Sequence, residues 1–179
     1  MTTFPHRLMG ASVLDIDTYE EVEADRGATA QALVVVLASS LAGGIGATGF
    51  MRDGRPVVEG VFFWSAIALV AWAAWALLVF EIGGRLLPEP DTRVDVGELL
   101  RTIGFASAPG MLRVFGILPA LALPVFVLTT LWMLVAMIVA VRQALDYRST
   151  ARAIGVCTIG LALALVIAFG FGLLATPLS

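Results

Sequence analysis

The feature that most constrains this chain is a set of uncharged apolar runs. Ala28 to Phe50 gives twenty-three residues without a charge, and Val114 to Val141 gives twenty-eight. Val61 to Phe80 and Ile154 to Thr176 are further runs of this kind. A helix needs about 20 apolar residues to cross a bilayer core, so each run is long enough. The hydrocarbon interior offers backbone groups no water, which leaves helices as the elements that such runs can form. Composition agrees: 59% of residues are hydrophobic and 14% charged, with a mean hydropathy of +0.95. Soluble domains run nearer to about 45–50% apolar and about 25% charged. The sequence therefore predicts an all-α polytopic membrane protein with one membrane domain.

The stretch from Leu99 to Arg152 decides how many helices cross. Gly104, Pro109 and Gly110 each disturb a helix there, and only eleven uncharged residues separate Arg101 from Arg113. Eleven residues of α-helix cover about 17 Å, short of a crossing. The arginines argue the other way. If Val96 to Leu118 crosses and the N-terminus is cytoplasmic, one side holds Arg7, Arg26, Arg85, Arg93, Arg101, Arg142, Arg148 and Arg152. The other side then holds Arg52, Arg55 and Arg113, which is the expected positive-inside asymmetry. Without that crossing the division is six against five and the bias disappears. Five transmembrane helices are thus predicted, at about 28–50, 61–80, 96–118, 119–141 and 154–176, with the C-terminus outside. Pro119 opens the fourth. Arg101 and Arg113 are placed near opposite interfaces, where they can snorkel and avoid the roughly 2.5–3.5 kcal/mol of a midplane charge. Asp53 or Glu59 is the expected partner of Arg113.

Residues 1–27 form a polar helical lead, acidic and without the basic-then-apolar pattern of a cleavable signal. Phe4, Leu8, Met9, Val13 and Leu14 make one apolar stripe, which predicts a helix lying in the headgroup region. Thr18 and Glu21 read as a capping box. Six carboxylates and no basic residue lie between Asp15 and Asp25. They read as a solvated helical face, with Glu20, Glu21 and Glu23 the candidate partner-docking acids. In the first span, Ser39, Gly43 and Ala47, and likewise Ala38, Ala42 and Gly46, recur every four residues, a spacing that lets helices approach closely within the protein. Trp64 is placed as an interfacial anchor, while Trp72 and Trp75 lie deeper and pack. Glu81 with Arg85, and Arg142 with Asp146, stand at the spacing of intrahelical ion pairs.

Catalysis needs a nucleophile with a base and an orienting group, or a metal set. His6 is isolated in the lead, and Cys157, the single cysteine, lies within an apolar run as a packing residue. No phosphate-binding glycine loop follows a strand, and no acid sits in the middle of any span to carry protons. No enzyme activity, cofactor, metal or nucleic-acid partner is expected.

The order Gly104-Phe105-x-x-x-Pro109, Pro119 opening a helix with Trp132, Arg142-Gln143-Ala144-Leu145-Asp146, and Arg152-Ala153 before the last span resembles the YIP family. Asp17-Thr18-Tyr19-Glu20-Glu21 leading into the first span is similar to the same group. These are five-span membrane proteins of the Ypt/Rab-interacting type, and the arginine-only basic residues with abundant Ala, Gly, Leu and Val make this resemble a bacterial member. The resemblance, running from about Phe4 to Leu174, implies the five-span fold. Eukaryotic members engage lipidated Rab GTPases through an extended cytoplasmic region, whereas the lead here is short and a bacterial cell offers no Rab.

Two functions are weighed on this basis. The first is a non-catalytic scaffold or adaptor of the inner membrane, recruiting a membrane or cytoplasmic protein partner through the acidic lead and the loop bearing Arg142, Asp146, Arg148 and Arg152. The arginines of that loop also serve as topology determinants and contacts to anionic lipid headgroups. The second is a small transporter or channel in which the break at Gly104, Pro109 and Gly110 frees backbone groups to line a cavity.

Overall fold

In the computed structural model, residues 2–50, 57–89, 92 and 95–175 are described, the last helix by its backbone alone at 165 and beyond 166. The described residues are helical throughout their regular structure. Two short helices, α1 (Phe4–Ser12) and α2 (Ile16–Ala24), precede α3 (Ala28–Ala47) and α4 (Val57–Val79). A π-helical turn, Phe80–Leu86, ends α4; α5 (Val96–Phe105) is followed by a 3-10 helix, Ala108–Ile117. Two long helices, α6 (Pro119–Ala144) and α7 (Thr150–Ala175), complete the chain. Three stretches are long and apolar enough to cross a membrane, Ala28–Phe50, Val57–Leu86 and Pro119–Ala144, and shorter apolar helices lie at Ala108–Ile117 and Thr150–Ala164. Their outer faces display large apolar side chains, among them Phe62, Phe63, Val70 and Leu77 of α4 and Leu123, Leu128 and Leu131 of α6. A polytopic helical protein exposes such side chains where lipid, as apolar as they are, covers them.

The segment after the α4–α5 connection runs alongside α3 and parallel to it. A Cβ on Gly104 would lie 2.9 Å from that of Ala32, and one on Gly110 2.1 Å from Ser39 Oγ. Further along, Gly46 meets the carbonyl oxygen of Arg113, and Gly49 that of Gly116, each 1.9 Å from where a Cβ would stand. Positions rise together on both partners, so α5 and the 3-10 helix follow α3 along its length. The helix is not continuous. It breaks at Ala106–Ser107, with Pro109 in the first turn of the 3-10 helix, where its missing N–H costs nothing. Ten α-helical residues cover about 15 Å and ten 3-10 residues about 20 Å, so the greater rise of the 3-10 winding supplies length that an eleven-residue α-helix lacks. The extended residue Leu118 then reverses the chain into Pro119 at the start of α6.

Several sequence expectations change. The α2 helix begins at Ile16, not at Thr18: Asp15 is its cap, accepting from the Thr18 N–H and from the Thr18 hydroxyl. In the lead, α1 and α2 fold back onto the bundle, and the apolar stripe is divided between the core and the outside. Phe4, Leu8 and Leu14 pack on the core, and Phe4 meets Phe105 edge-on at 6.2 Å. Only Met9 and Val13 of the apolar stripe stay outward, each 71% exposed. The Trp132 indole donates to Ser12 O at 2.8 Å. Twelve residues separate Trp132 from Ala144, so the end of α1 is held roughly 18 Å along α6 from that terminus.

Two arginines fasten the lead. Arg7 is 2% exposed, and its Nη2 lies 2.8 Å from both Glu21 Oε1 and Asp25 Oδ2. Its Nη1 donates to Gln31 Oε1 of α3. Arg101 of α5 is also buried and donates to the carbonyls of Val22 and Glu23, the orphan acceptors at the α2 C-terminus. Glu81 and Arg85 do pair, at 2.8 Å, within the π turn. Trp75 is buried and Trp64 exposed, as the sequence places them.

Gly46→Ala is expected to push α3 and the 3-10 helix apart and to destabilise the protein by about 1–3 kcal/mol, the usual cost of overpacking. Gly155→Ala, where an added Cβ on α7 meets nothing within 4 Å, should instead hold or raise the melting temperature in mild detergent. Arg7→Ala leaves Glu21 and Asp25 without their shared cation. Limited proteolysis should then cleave near Asp25–Gly27, which the parent protein resists.

Candidate functional site

Three chain segments meet at one end of the bundle: the lead, the π turn after α4, and the α6–α7 connection. Tyr147 joins the last two, its hydroxyl donating to Gly83 O at 2.8 Å and Leu87 O at 3.0 Å. Asp146 takes a left-handed conformation, φ 51°, just beyond α6 and turns the chain there. The Arg148 N–H donates to Glu89 Oε2, while Arg152 pairs with Glu89 Oε1 at 3.2 Å and donates to Pro88 O.

Between α2, the start of α5 and this connection lies a half-open pocket of about 640 Å³. Glu20 and Glu23 enter it from α2, Glu98 from α5, and Arg142, Gln143, Asp146, Tyr147 and Arg148 from the other side. Four carboxylates thus face two guanidinium groups. Gln143 Nε2 donates to Glu20 Oε1 at 3.1 Å, which closes the pocket on one flank. Asp95 caps α5 by accepting from the Glu98 N–H, and this fixes where Glu98 emerges. Glu23 titrates at about 7, pushed up by burial and then by the negative charges of Asp146, Glu98 and Glu20, against the opposing pull of Arg101. Glu21 behaves oppositely. Hydrogen bonds from Thr2 and Arg7 hold it at about 2.

Of the residues singled out in the sequence, Glu20, Glu23, Arg142, Asp146 and Arg148 come together here. Glu21 does not: it points away, to Arg7 and Thr2. Arg152 sits beside the pocket on Glu89. The expected Arg142–Asp146 pair does not form, because α6 ends at Ala144 and the left-handed turn carries Asp146 off the helix face; Arg142 Nε instead donates to Tyr147 O. Gly104, Pro109, Gly110, Arg113 and Pro119 lie elsewhere, along the α3 seam and at the far end. Arg113 does not snorkel to its interface or pair with Glu59, which is exposed at the start of α4; Asp53 lies outside the described residues. Its guanidinium turns inward to Thr129 and Thr130. Sequence reasoning missed Glu98 and Tyr147. The D-x-x-E spacing of Asp95 and Glu98 marks a helix start and was the available signal for the first; no spacing rule points to Tyr147. Among the described residues no group of three or more His, Cys, Asp or Glu is arranged to hold a metal ion.

A bundle of long apolar helices, outwardly greasy along its length and polar where three connections converge, defines a polytopic α-helical membrane protein. A family model described as the Yip1 domain matches residues 15–171, which span α2 to most of α7, and the chain belongs to that family. No individual curated protein and no solved structure matches it.

The Glu23 environment has a pH consequence with a definite sign. The raised carboxyl keeps its proton in the docked state between about 4.5 and 7, where an undocked α2 would release it, so docking weakens as pH rises through that window. Glu23→Gln removes the effect. At pH 8 the variant should melt about 2–4 °C above the parent, equivalent to about 1 kcal/mol after allowance for solvent screening. At pH 4.5 the two should coincide.

Proposed function

We propose that this protein is a non-catalytic membrane scaffold or adaptor that recruits a protein partner at the end where the lead, the π turn and the α6–α7 connection meet. The observation that carries the proposal is the convergence of α2 acids and connection arginines on one open polar pocket, away from the lipid-facing surface. A mixed-charge recess of this kind gives a partner both signs of charge to match, which sets orientation and rejects poor fits. The arginine asymmetry supports placing this end in the cytoplasm and the C-terminus outside, in the inner membrane of a bacterial cell. Arg142, Arg148 and Arg152 lie at that surface and would also meet anionic lipid headgroups.

A transporter or channel using the broken third span is the second reading, prompted by the break at Ala106–Ser107. The break is filled by packing against α3, with Phe105, Ala106, Ser107 and Ala108 all buried, which favours the adaptor. A photo-reactive residue replacing Glu20 in native membranes should give a discrete protein adduct, while one replacing lipid-facing Leu128 should give none. The Glu20→Gln, Glu23→Gln double variant, carrying the photo-reactive group at Gln143, should lower the adduct yield by about tenfold. Solute flux in liposomes with no adduct at either position would replace the adaptor with the transporter.

A further inference from the structure

We propose that a chamber around Arg113, within the membrane-spanning part of the bundle, binds the oxyanion head of a single-chain amphiphile entering from the bilayer between α4 and α6. The position of the charge comes first. Arg113 Nη2 donates to Thr130 Oγ1 at 2.9 Å and Nε to Thr129 Oγ1 at 3.3 Å. Thr130 is eleven residues into α6, about 17 Å from Pro119, so the guanidinium lies along the middle of that helix and not at its end. An ionisable group at that depth marks a functional site by default.

The second observation is what this guanidinium is given. It carries five N–H donors, of which the two threonine hydroxyls take two. The Phe126 ring lies 5.3 Å from it, a cation–π contact that leaves the remaining N–H groups free. Among the described residues no carboxylate pairs with it. The donors are in surplus, and a second one stands nearby: the indole Nε1 of Trp72 is buried and has no acceptor among the described residues. Buried donors without acceptors are rare in folded proteins, and each one calls for a partner. Trp72 and Arg113 line the same space.

That space is the third observation. Two adjoining cavities, of about 220 and 30 Å³, share Ala68, Trp72, Arg113 and Met133. The smaller is bordered by the hydroxyl-bearing Ser39, Ser40 and Ser107. The larger is lined mainly by apolar side chains of α4 and α6 and reaches exposed Thr130, where it opens sideways onto the lipid-facing surface. A water takes about 30 Å³, so the larger cavity holds an oxyanion group and the first part of a chain, not a whole lipid. Its lining contains a cation and no acid, which excludes a cationic head. The long 3-10 helix fits this assignment too. Runs of that winding beyond three or four residues are uncommon, and this one carries Arg113 in its second half.

The shared chemistry is an acyl chain ending in a carboxylate or a phosphate, and the test separates the two. The full-length protein in nanodiscs of zwitterionic lipid is titrated with palmitate, with 1-palmitoyl-lysophosphatidate and with uncharged 1-palmitoylglycerol, and bound adducts are counted by native mass spectrometry. At least one oxyanion probe should bind ten times or more tighter than the neutral one, and which of them does so identifies the head. Arg113→Gln should abolish that preference. Trp72→Phe, which keeps the ring and removes the N–H, should weaken binding about threefold to tenfold with an unchanged melting temperature. Equal binding of charged and neutral probes by the parent protein would overturn the proposal. So would a preference that survives both substitutions. Should Arg113→Gln fail to fold, the parent comparison together with Trp72→Phe decides.

Discussion

The structure depends on how closely the backbone of α3 meets that of the 3-10 helix. Gly46 stands against the carbonyl of Arg113 and Gly49 against that of Gly116, a spacing of three residues on each side. A 3-10 helix has three residues per turn, so Arg113 and Gly116 lie one above the other and present their carbonyls as a straight row. Gly46 at the end of α3 and Gly49 in the 3-10 turn Thr48–Phe50 that follows it accept that row without a Cβ in the way. An α-helix in the same place would rotate successive contacts off the line. The seam therefore matches the three-residue winding of Ala108–Ile117 with Gly46 and Gly49 at the end of the first span.

Among the described residues Arg7 and Arg101 are buried and Arg113 is half-buried, and each is satisfied differently. Arg7 is held by two carboxylates and an amide. Arg101 completes the carbonyl end of α2, where a helix concentrates negative partial charge. Arg113 has only two hydroxyls and an aromatic face. The first two are structural fasteners between the lead and the bundle. The third, among the described residues, has no carboxylate partner.

Much of the fold was legible in the chain because the membrane imposes length and charge rules that read directly from sequence. The uncharged runs located the long helices, and the segment from Val96 to Leu118 is helical in two parts, α5 and the 3-10 helix. The same rules could not foresee the 3-10 winding, since neither hydropathy nor Pro109 distinguishes it from a kinked α-helix. The lead was misread for a related reason. An apolar stripe signals what a helix buries but not against what, and Phe4 found Phe105 where the stripe alone implied lipid. The candidate pocket was half legible: acids on α2 and arginines after α6 stood out as charge clusters, but their meeting depends on Tyr147 tying the connection down, a contact between residues sixty or more positions apart. The intrahelical pairing of Arg142 with Asp146 failed because a helix terminus, not a spacing, decided it.

The bond from Trp132 to the carbonyl of Ser12 spans 120 positions, and that from Arg101 to Val22 spans 79. The contacts of Arg7 with Glu21 and Gln31, by comparison, close over 14 and 24. A chain inserted from its N-terminus thus gathers α1, α2 and the start of α3 into one polar knot while its docking surface does not yet exist. The lead becomes a clasp that shuts only after the fourth long helical segment has been made. Closure of that clasp reports that α5 and α6 have arrived in register, giving the membrane domain a built-in mark of completed assembly.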